Sequence, residues 1–94
     1  LAKTSSAPAL APVARLRLAG VLLQEKKYDE ALSLVQGEAP EGFAALYADR
    51  RGDILAAQGK AAEAVQAWRD AIQALGADPA TQIVQLKIDA LNGA

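Results

Sequence analysis

Two aspartates one helical turn apart, Asp49 and Asp53, form the most chemically suggestive pair in this sequence. Paired carboxylates can act as general acid and base or bind a divalent cation. The chain contains no histidine and no cysteine, which removes the usual general base, thiol nucleophile and ligands of zinc, haem and iron–sulfur clusters. Arg50 and Arg51 lie beside the aspartates, and there is no glycine-rich phosphate loop. We therefore interpret the pair as part of a charged helix face, and expect no catalytic residue, cofactor or metal site.

The charge balance argues against several classes of partner. Ten basic and eleven acidic residues are interspersed along the 94-residue chain, which gives a net charge of −1. This pattern has no basic stripe for nucleic acid or for an anionic membrane surface. No run of apolar residues approaches the roughly 18 that a membrane span needs. No part of the sequence indicates a site for a small-molecule substrate. Because the chain starts at Leu1 rather than at methionine, we expect a fragment whose targeting segment is missing.

The composition and periodicity predict an all-α protein. Alanine contributes 23 residues and aromatic residues only four, so the core must rely on closely approaching helices. Residues 1–7 lack periodicity and are predicted to be a linker or a frayed N-terminus, with one helical domain over residues 8–94. Apolar spacing and the Gly and Pro positions predict five helices, at about 8–26, 28–36, 43–58, 61–75 and 79–91.

The first four helices form two similar hairpins. A shift of 33 residues places Leu22 on Leu55 and Ala31 on Ala64. Such a period is typical of helical repeats that stack into a solenoid. The predicted architecture is therefore two tandem hairpins covered by a C-terminal capping helix, as a fragment of a right-handed α-solenoid.

The second hairpin resembles the tetratricopeptide repeat. The signature of this repeat alternates small and large residues. Here the signature residues are Gly52, Leu55, Ala64, Trp68 and Ala71. We expect Gly52 and Ala64 to be small because the two helices of the hairpin cross there. We expect Trp68 to fill the space between this hairpin and the next element, since a tryptophan at helical spacing is usually a core residue.

Several segments further resemble one family, the periplasmic ancillary subunit of the SecYEG translocon. They are LRLA at 16–19, EGFAA at 41–45, ADRRGD at 48–53 and LKIDAL at 86–91. Together with their spacing, they extend the resemblance over about residues 10–91. Arg51 stands where the generic repeat has leucine, and this departure is a feature of the family. From the residues alone, we expect its guanidinium to reach water or a carboxylate.

The resemblance implies a bacterial inner-membrane protein with one membrane span and a periplasmic helical-repeat domain. This chain would be the C-terminal part of that domain, at the periplasmic face of the membrane. The implied partners are translocon subunits and periplasmic chaperones. Such an adaptor lies beside the translocon and passes emerging chains to the chaperones. The resemblance supplies no catalytic residue and no binding residue to transfer.

The repeat pattern itself predicts a protein-interaction surface. Stacked hairpins present their first helices on a concave face, which combines an apolar group with an acidic group. The candidate partner-contact residues on this face are Val13, Leu16, Leu23, Leu46, Asp49 and Asp53. Such a surface suits an amphipathic or basic segment of another protein.

Two alternatives remain open at this stage. The apolar residues of the first helix could be covered by a preceding repeat, in which case the isolated domain should form a homo-oligomer or bind its own N-terminal tail. The domain could also be a generic tetratricopeptide scaffold or oligomerisation domain without a client.

Overall fold

The computed structural model describes residues 11–93, and within them the chain forms five α-helices and no strand. The helices are α1 (Pro12–Gln24), α2 (Tyr28–Val35), α3 (Ala44–Ala57), α4 (Ala61–Leu75) and α5 (Ala80–Leu91). The predicted all-α fold is confirmed, while the right-handed sense of the stack stays a prediction. The predicted linker at 1–7 lies outside the described residues.

The first helix is shorter than predicted at both ends. It begins at Pro12 rather than near residue 8, because Ala11 is extended (φ −62°, ψ 148°). A residue that precedes proline avoids the helical region, since the proline ring clashes with its backbone. At the other end the helix stops at Gln24 rather than at residue 26.

Both hairpins close with the same hydrogen-bonded turn. In the first turn, Lys27 N–H donates to the carbonyl of Leu22 at 2.8 Å and Lys26 N–H donates to that of Leu23 at 3.0 Å. This is the Schellman pattern, which needs a left-handed residue at its centre. The second hairpin uses Gly59 there (φ +80°), but the first uses Lys26 (φ +64°).

Replacing Lys26 by glycine should therefore stabilise the domain. A left-handed conformation costs a non-glycine residue about 1–2 kcal/mol, and the extra freedom of glycine in the unfolded chain offsets part of the gain. We expect a net gain of about 0.5–1 kcal/mol, measured by urea unfolding. The control is Gln24→Gly at the exposed last residue of α1, where glycine should cost stability because it is a poor helix former. Equal effects of the two substitutions would contradict this account.

Two apolar clusters hold the helices together. The first joins α1, α2 and α3, and its buried members are Leu16, Ala19, Ala31, Val35, Tyr47 and Ile54. The second joins α3, α4 and α5, and its buried members are Ala48, Ala64, Val65, Trp68, Ala71, Val84 and Ile88. Helix α3 contributes to both clusters, so it links the first hairpin to the second hairpin and the cap.

Asp78 satisfies a backbone donor at the start of α5. The side chain of Asp78 accepts a hydrogen bond from Ala80 N–H at 2.8 Å, and Pro79 follows the aspartate. An aspartate at this point satisfies a backbone donor that the helix itself leaves free, and proline tolerates the first turn. Helix α5 then packs onto the second cluster through Val84 and Ile88.

Candidate interaction surface

The two aspartates of α3 share one lysine from the capping helix. Lys87 Nζ lies 2.9 Å from Asp49 Oδ1 and 3.0 Å from Asp53 Oδ1. Arg50 Nη1 is 3.8 Å from the second oxygen of Asp53. All four side chains are partly exposed, with 25–35% of their surface accessible. The cluster therefore bridges α3 and α5 at the surface of the stack.

This arrangement favours a structural use of the carboxylates over catalysis. The ammonium of Lys87 occupies the space between the two aspartates where a cation would bind. Among residues 11–93, no group of three or more acidic side chains forms a metal cage. Burial alone would lower the pKa of Lys87, but the hydrogen bonds to Asp49 and Asp53 outweigh burial and raise this pKa above its ordinary value. Lys87 is therefore a charged tether of α5.

Replacing Lys87 by methionine should loosen α5 from α3. We expect a loss below about 1 kcal/mol, because the ion pairs are partly exposed, and faster amide exchange along α5. The pKa of Lys87 is higher in the folded state than in the unfolded state. The ion pairs of Lys87 therefore contribute fully to the free energy of unfolding below the unfolded pKa, and this contribution disappears as the pH rises through the folded pKa. The stability difference between wild type and Lys87→Met should thus be constant near neutral pH and shrink above about pH 10. A stability difference that grows as the pH rises would contradict the role of Lys87 as a charged tether.

Arg51 links the two hairpins through a backbone group. Its Nη1 donates to the carbonyl of Val35 at 3.0 Å, and Val35 is the last residue of α2. The guanidinium thus bonds to a backbone carbonyl rather than to a carboxylate, while Arg51 as a whole keeps part of its surface exposed. The last carbonyls of a helix lack internal partners and carry partial negative charge, so a guanidinium there both caps α2 and holds it against α3.

Replacing Arg51 by methionine should release the end of α2. The methionine retains most of the apolar stem but cannot donate to Val35, so we expect a loss of about 1 kcal/mol, less than for a fully buried charged hydrogen bond. Hydrogen exchange should accelerate at the C-terminal end of α2. The matched control is Arg69→Met on the exposed face of α4, where we expect less than about 0.5 kcal/mol. Equal losses at both arginines would contradict the capping role.

Trp68 connects the core to the charged surface. Its indole lies against Gly52, and its Nε1 donates to the carbonyl of Asp49 at 3.2 Å. A Cβ atom at Gly52 would overlap the indole ring. The space that a side chain at Gly52 would fill is thus occupied by Trp68 of α4. That the two helices cross at Gly52 and Ala64 stays a prediction. Ala64 and Ala71 are fully buried beside Trp68, and Leu55 packs against the same cluster.

The predicted partner-contact residues occupy different environments. Val13 and Leu46 are 46% and 53% exposed, respectively, and are free to meet a partner. Leu16 is buried in the first cluster, and Leu23 packs at its edge. Asp49 and Asp53 hold Lys87 while keeping part of their surface exposed.

Sequence reasoning missed a groove between α3 and α5. Near the start of both helices, an apolar cavity of about 140 Å³ is lined by Ala45, Leu46, Asp49, Leu75, Ala80, Ile83 and Val84. Near their ends, a cavity of about 400 Å³ is lined by Asp53, Ala56, Trp68, Lys87, Ala90 and Leu91. We call the two cavities together the α3–α5 groove. Its outer wall includes Ile83, which is 62% exposed.

The 33-residue register explains two of the exposed apolar residues of α1. Leu18 and Val21 of α1 are exposed, and their equivalents in α3 are Arg51 and Ile54. Those equivalents contact the preceding hairpin, since Arg51 caps α2 and Ile54 is buried in the first cluster. Leu18 and Val21 therefore occupy stacking positions, and the register could have identified them from the sequence.

These features define a helical-repeat domain of the tetratricopeptide class. The model of the tetratricopeptide repeat-like domain family matches residues 1–93, and the chain belongs to this family. None of the helices in the described part of the chain is long and apolar enough to cross a membrane.

The chain is similar to two ancillary SecYEG translocon subunits, in agreement with the resemblance seen in its segments. It is 38% identical over 80 residues to the subunit of Neisseria gonorrhoeae (strain ATCC 700825 / FA 1090), covering 84% of this chain and 38% of the relative. It is 36% identical over 83 residues to the subunit of Escherichia coli (strain K12), covering 88% of this chain and 40% of the relative. The chain thus spans about two fifths of these relatives. No solved structure matches it.

Proposed function

We propose that this domain is a non-enzymatic protein-interaction module of a translocon-associated adaptor, which links SecYEG to periplasmic chaperones. The observation that carries the proposal is the pair of exposed apolar residues Val13 on α1 and Leu46 on α3, of which Leu46 lies beside Asp49 of the charged cluster. The relatives named as translocon subunits support the choice of partner. The chemistry also fits, because the face offers apolar contact and charge but no reaction centre.

Photo-crosslinking in membranes tests this function. A photoreactive residue is placed at Leu46 of the full-length protein, and the control carries it at the exposed Arg69 of α4. We expect translocon subunits and a periplasmic chaperone to be captured at position 46 and not at position 69. Capture of neither class, or equal capture at both positions, would contradict the adaptor function.

The proposed location is the periplasmic face of the inner membrane. Because these 94 residues contain no cysteine, a cysteine introduced at the exposed Gln82 can be read without background from this domain. We expect a membrane-impermeant maleimide to label it in intact spheroplasts of cells that produce the full-length protein. Labelling only after lysis would place the domain on the cytoplasmic side.

The exposed stacking positions of α1 favour a second candidate, a scaffold or oligomerisation domain. If Leu18 and Val21 pair two copies of the chain, light scattering will show a dimer that the double substitution Leu18→Glu/Val21→Glu converts to a monomer. The control is Leu86→Glu, which is 66% exposed but belongs to α5. A monomeric wild type at high micromolar concentration would remove this candidate.

A further inference from the structure

We propose that Asn92, at the C-terminal end of α5, is a site of spontaneous deamidation, which converts it to a mixture of aspartate and isoaspartate. The second reacting group belongs to Gly93, the residue that follows it. Asn92 is the single asparagine of the 94-residue chain, so the site is unambiguous within this domain. The inference goes beyond the proposed function, because it concerns a modification of the capping helix and not the choice of a partner protein.

The reaction is an intramolecular displacement. The backbone nitrogen of Gly93, after hydroxide removes its proton, attacks the side-chain carbonyl carbon Cγ of Asn92. A C–N bond forms and the bond from Cγ to the amide nitrogen breaks, so ammonia leaves with a proton from water and a five-membered succinimide remains. Water then opens the succinimide at either carbonyl, which gives aspartate or, with the backbone routed through Cγ, isoaspartate. No group is oxidised or reduced, and water is the only co-reactant.

The local structure leaves both reacting groups accessible. Asn92 and Gly93 are exposed. Gly93 has φ +79°, and no atom of the described residues beyond its chain neighbours lies within 4 Å of the place that a Cβ atom would take there. Glycine also lacks the side chain that would crowd the attacking nitrogen. Attack at this peptide bond is therefore not hindered by packing.

The backbone needs little rearrangement to reach the reactive geometry. Asn92 has ψ 0°, and the nitrogen of Gly93 must turn toward Cγ by rotation about this bond. The rotation breaks the hydrogen bond from Gly93 N–H to the carbonyl of Ala90, which at 3.3 Å is longer than the usual 2.9–3.0 Å. The bond from Asn92 N–H to the carbonyl of Ile88, at 3.0 Å, precedes the rotating bond and is kept. Helix ends fray, so the rotation does not require α5 to unfold.

The product would change the end of the capping helix. Aspartate or isoaspartate adds a negative charge at the C-terminal end of α5, where the helix dipole is already negative. Asp89, three residues earlier, lies on the same side of the helix and would repel the new charge. Ala90 and Leu91 line the larger cavity of the α3–α5 groove beside Trp68. We therefore expect deamidation to loosen the last turn of α5 and this wall of the cavity.

Two Gln–Gly pairs of the same chain provide matched internal controls. Gln36–Gly37 and Gln58–Gly59 also place a glycine of positive φ, +78° and +80°, after a side chain that ends in an amide. Each of these side chains is one methylene longer than asparagine. Attack on it would have to close a six-membered ring, which forms much more slowly. Asn92 should therefore react well before either glutamine.

Peptide mapping of the folded full-length protein tests the proposal. The protein is incubated at 37 °C in mildly acidic and in mildly alkaline buffer, digested with trypsin and analysed by mass spectrometry. We expect the peptide that begins at Ile88 to gain the mass that separates an acid from its amide, faster in the alkaline buffer because hydroxide generates the nucleophile. The peptides that contain Gln36 and Gln58 should stay unchanged. An isoaspartyl methyltransferase with labelled S-adenosylmethionine should mark the isoaspartate.

Variants separate the reaction from its consequence. Asn92→Gln should abolish the mass change, and Gly93→Ala should slow it by at least about fivefold, because the methyl group crowds the nitrogen. Asn92→Asp carries the product charge from the start and should accelerate amide exchange in the last turn of α5 about two- to fivefold. The matched control is Gln82→Glu, which adds the same charge at an exposed position near the other end of α5 and should not accelerate exchange.

Two results would overturn the deamidation proposal. One is a peptide beginning at Ile88 whose mass changes no faster than the masses of the peptides that contain Gln36 and Gln58. The other is a reaction that occurs in urea but not in the folded protein, which would mean that the end of α5 protects Asn92. Amide exchange in Asn92→Asp as slow as in the wild type would refute the loosening of α5.

Discussion

Replacing Gly52 by alanine is expected to destabilise the domain by about 1–3 kcal/mol, although alanine is the better helix former. The added Cβ atom would overlap the indole of Trp68, which is 4% exposed and held by its hydrogen bond to the carbonyl of Asp49. The indole or the whole of α4 must therefore move. Urea unfolding followed by far-ultraviolet circular dichroism measures the loss.

The matched control is Gly20→Ala, at the helical glycine of α1. A Cβ atom there would lie 3.5 Å from the guanidinium of Arg50, an ordinary contact with a flexible side chain. We expect a gain of up to about 1 kcal/mol from the higher helix propensity of alanine. In a Trp68→Leu background the penalty of Gly52→Ala should largely vanish, which a double-mutant cycle detects. A stabilising Gly52→Ala in the wild-type background would contradict the packing described.

Replacing Trp68 by alanine is expected to cost about 3–5 kcal/mol, the largest effect of any single substitution considered for this chain. Trp68 is the bulkiest residue of the second cluster, and its other buried members include three alanines. Natural domains have total stabilities of about 5–15 kcal/mol, and small ones lie near the lower end. We therefore expect Trp68→Ala to be substantially unfolded at 37 °C, with a lowered thermal midpoint in calorimetry.

Two further variants separate volume from hydrogen bonding. Trp68→Phe keeps most of the apolar volume but removes the donor to Asp49, so we expect a loss closer to the cost of one hydrogen bond, about 1 kcal/mol, plus a small packing defect. Leu86→Ala, at a residue 66% exposed on α5, should change stability by less than about 0.5 kcal/mol. A Trp68→Ala variant that is as stable as Leu86→Ala would mean that the second cluster does not depend on the indole.

Trp68 also lines the larger cavity of the α3–α5 groove. The indole packs on Gly52 inside the second hairpin, faces the larger cavity, and bonds to the backbone of Asp49. A substitution of Trp68 would therefore change the stability of the domain and the shape of this cavity together.

The sequence by itself determined the class of fold. Helix periodicity, the glycine and proline positions and the 33-residue register depend on local backbone preferences and on one repeated unit, so they can be read without tertiary information. They predicted four of the five helices to within about two residues at each end. The exception is the start of α1, where Pro12 restricts Ala11 to the extended region, a local effect that apolar periodicity does not reflect.

Only the tertiary structure decided how the polar side chains are used. Asp49 and Lys87 are 38 residues apart, and Arg51 and Val35 are 16 apart, so no local pattern pairs them. Their pairing depends on how α5 and α2 pack against α3. Helix periodicity does not determine the distances between residues on different helices. The same holds for the α3–α5 groove, which exists because α5 packs onto α4 through Val84 and Ile88 and reaches α3 through a lysine. Local sequence fixes the helices, and long-range packing fixes which charges and apolar surfaces remain available to a partner.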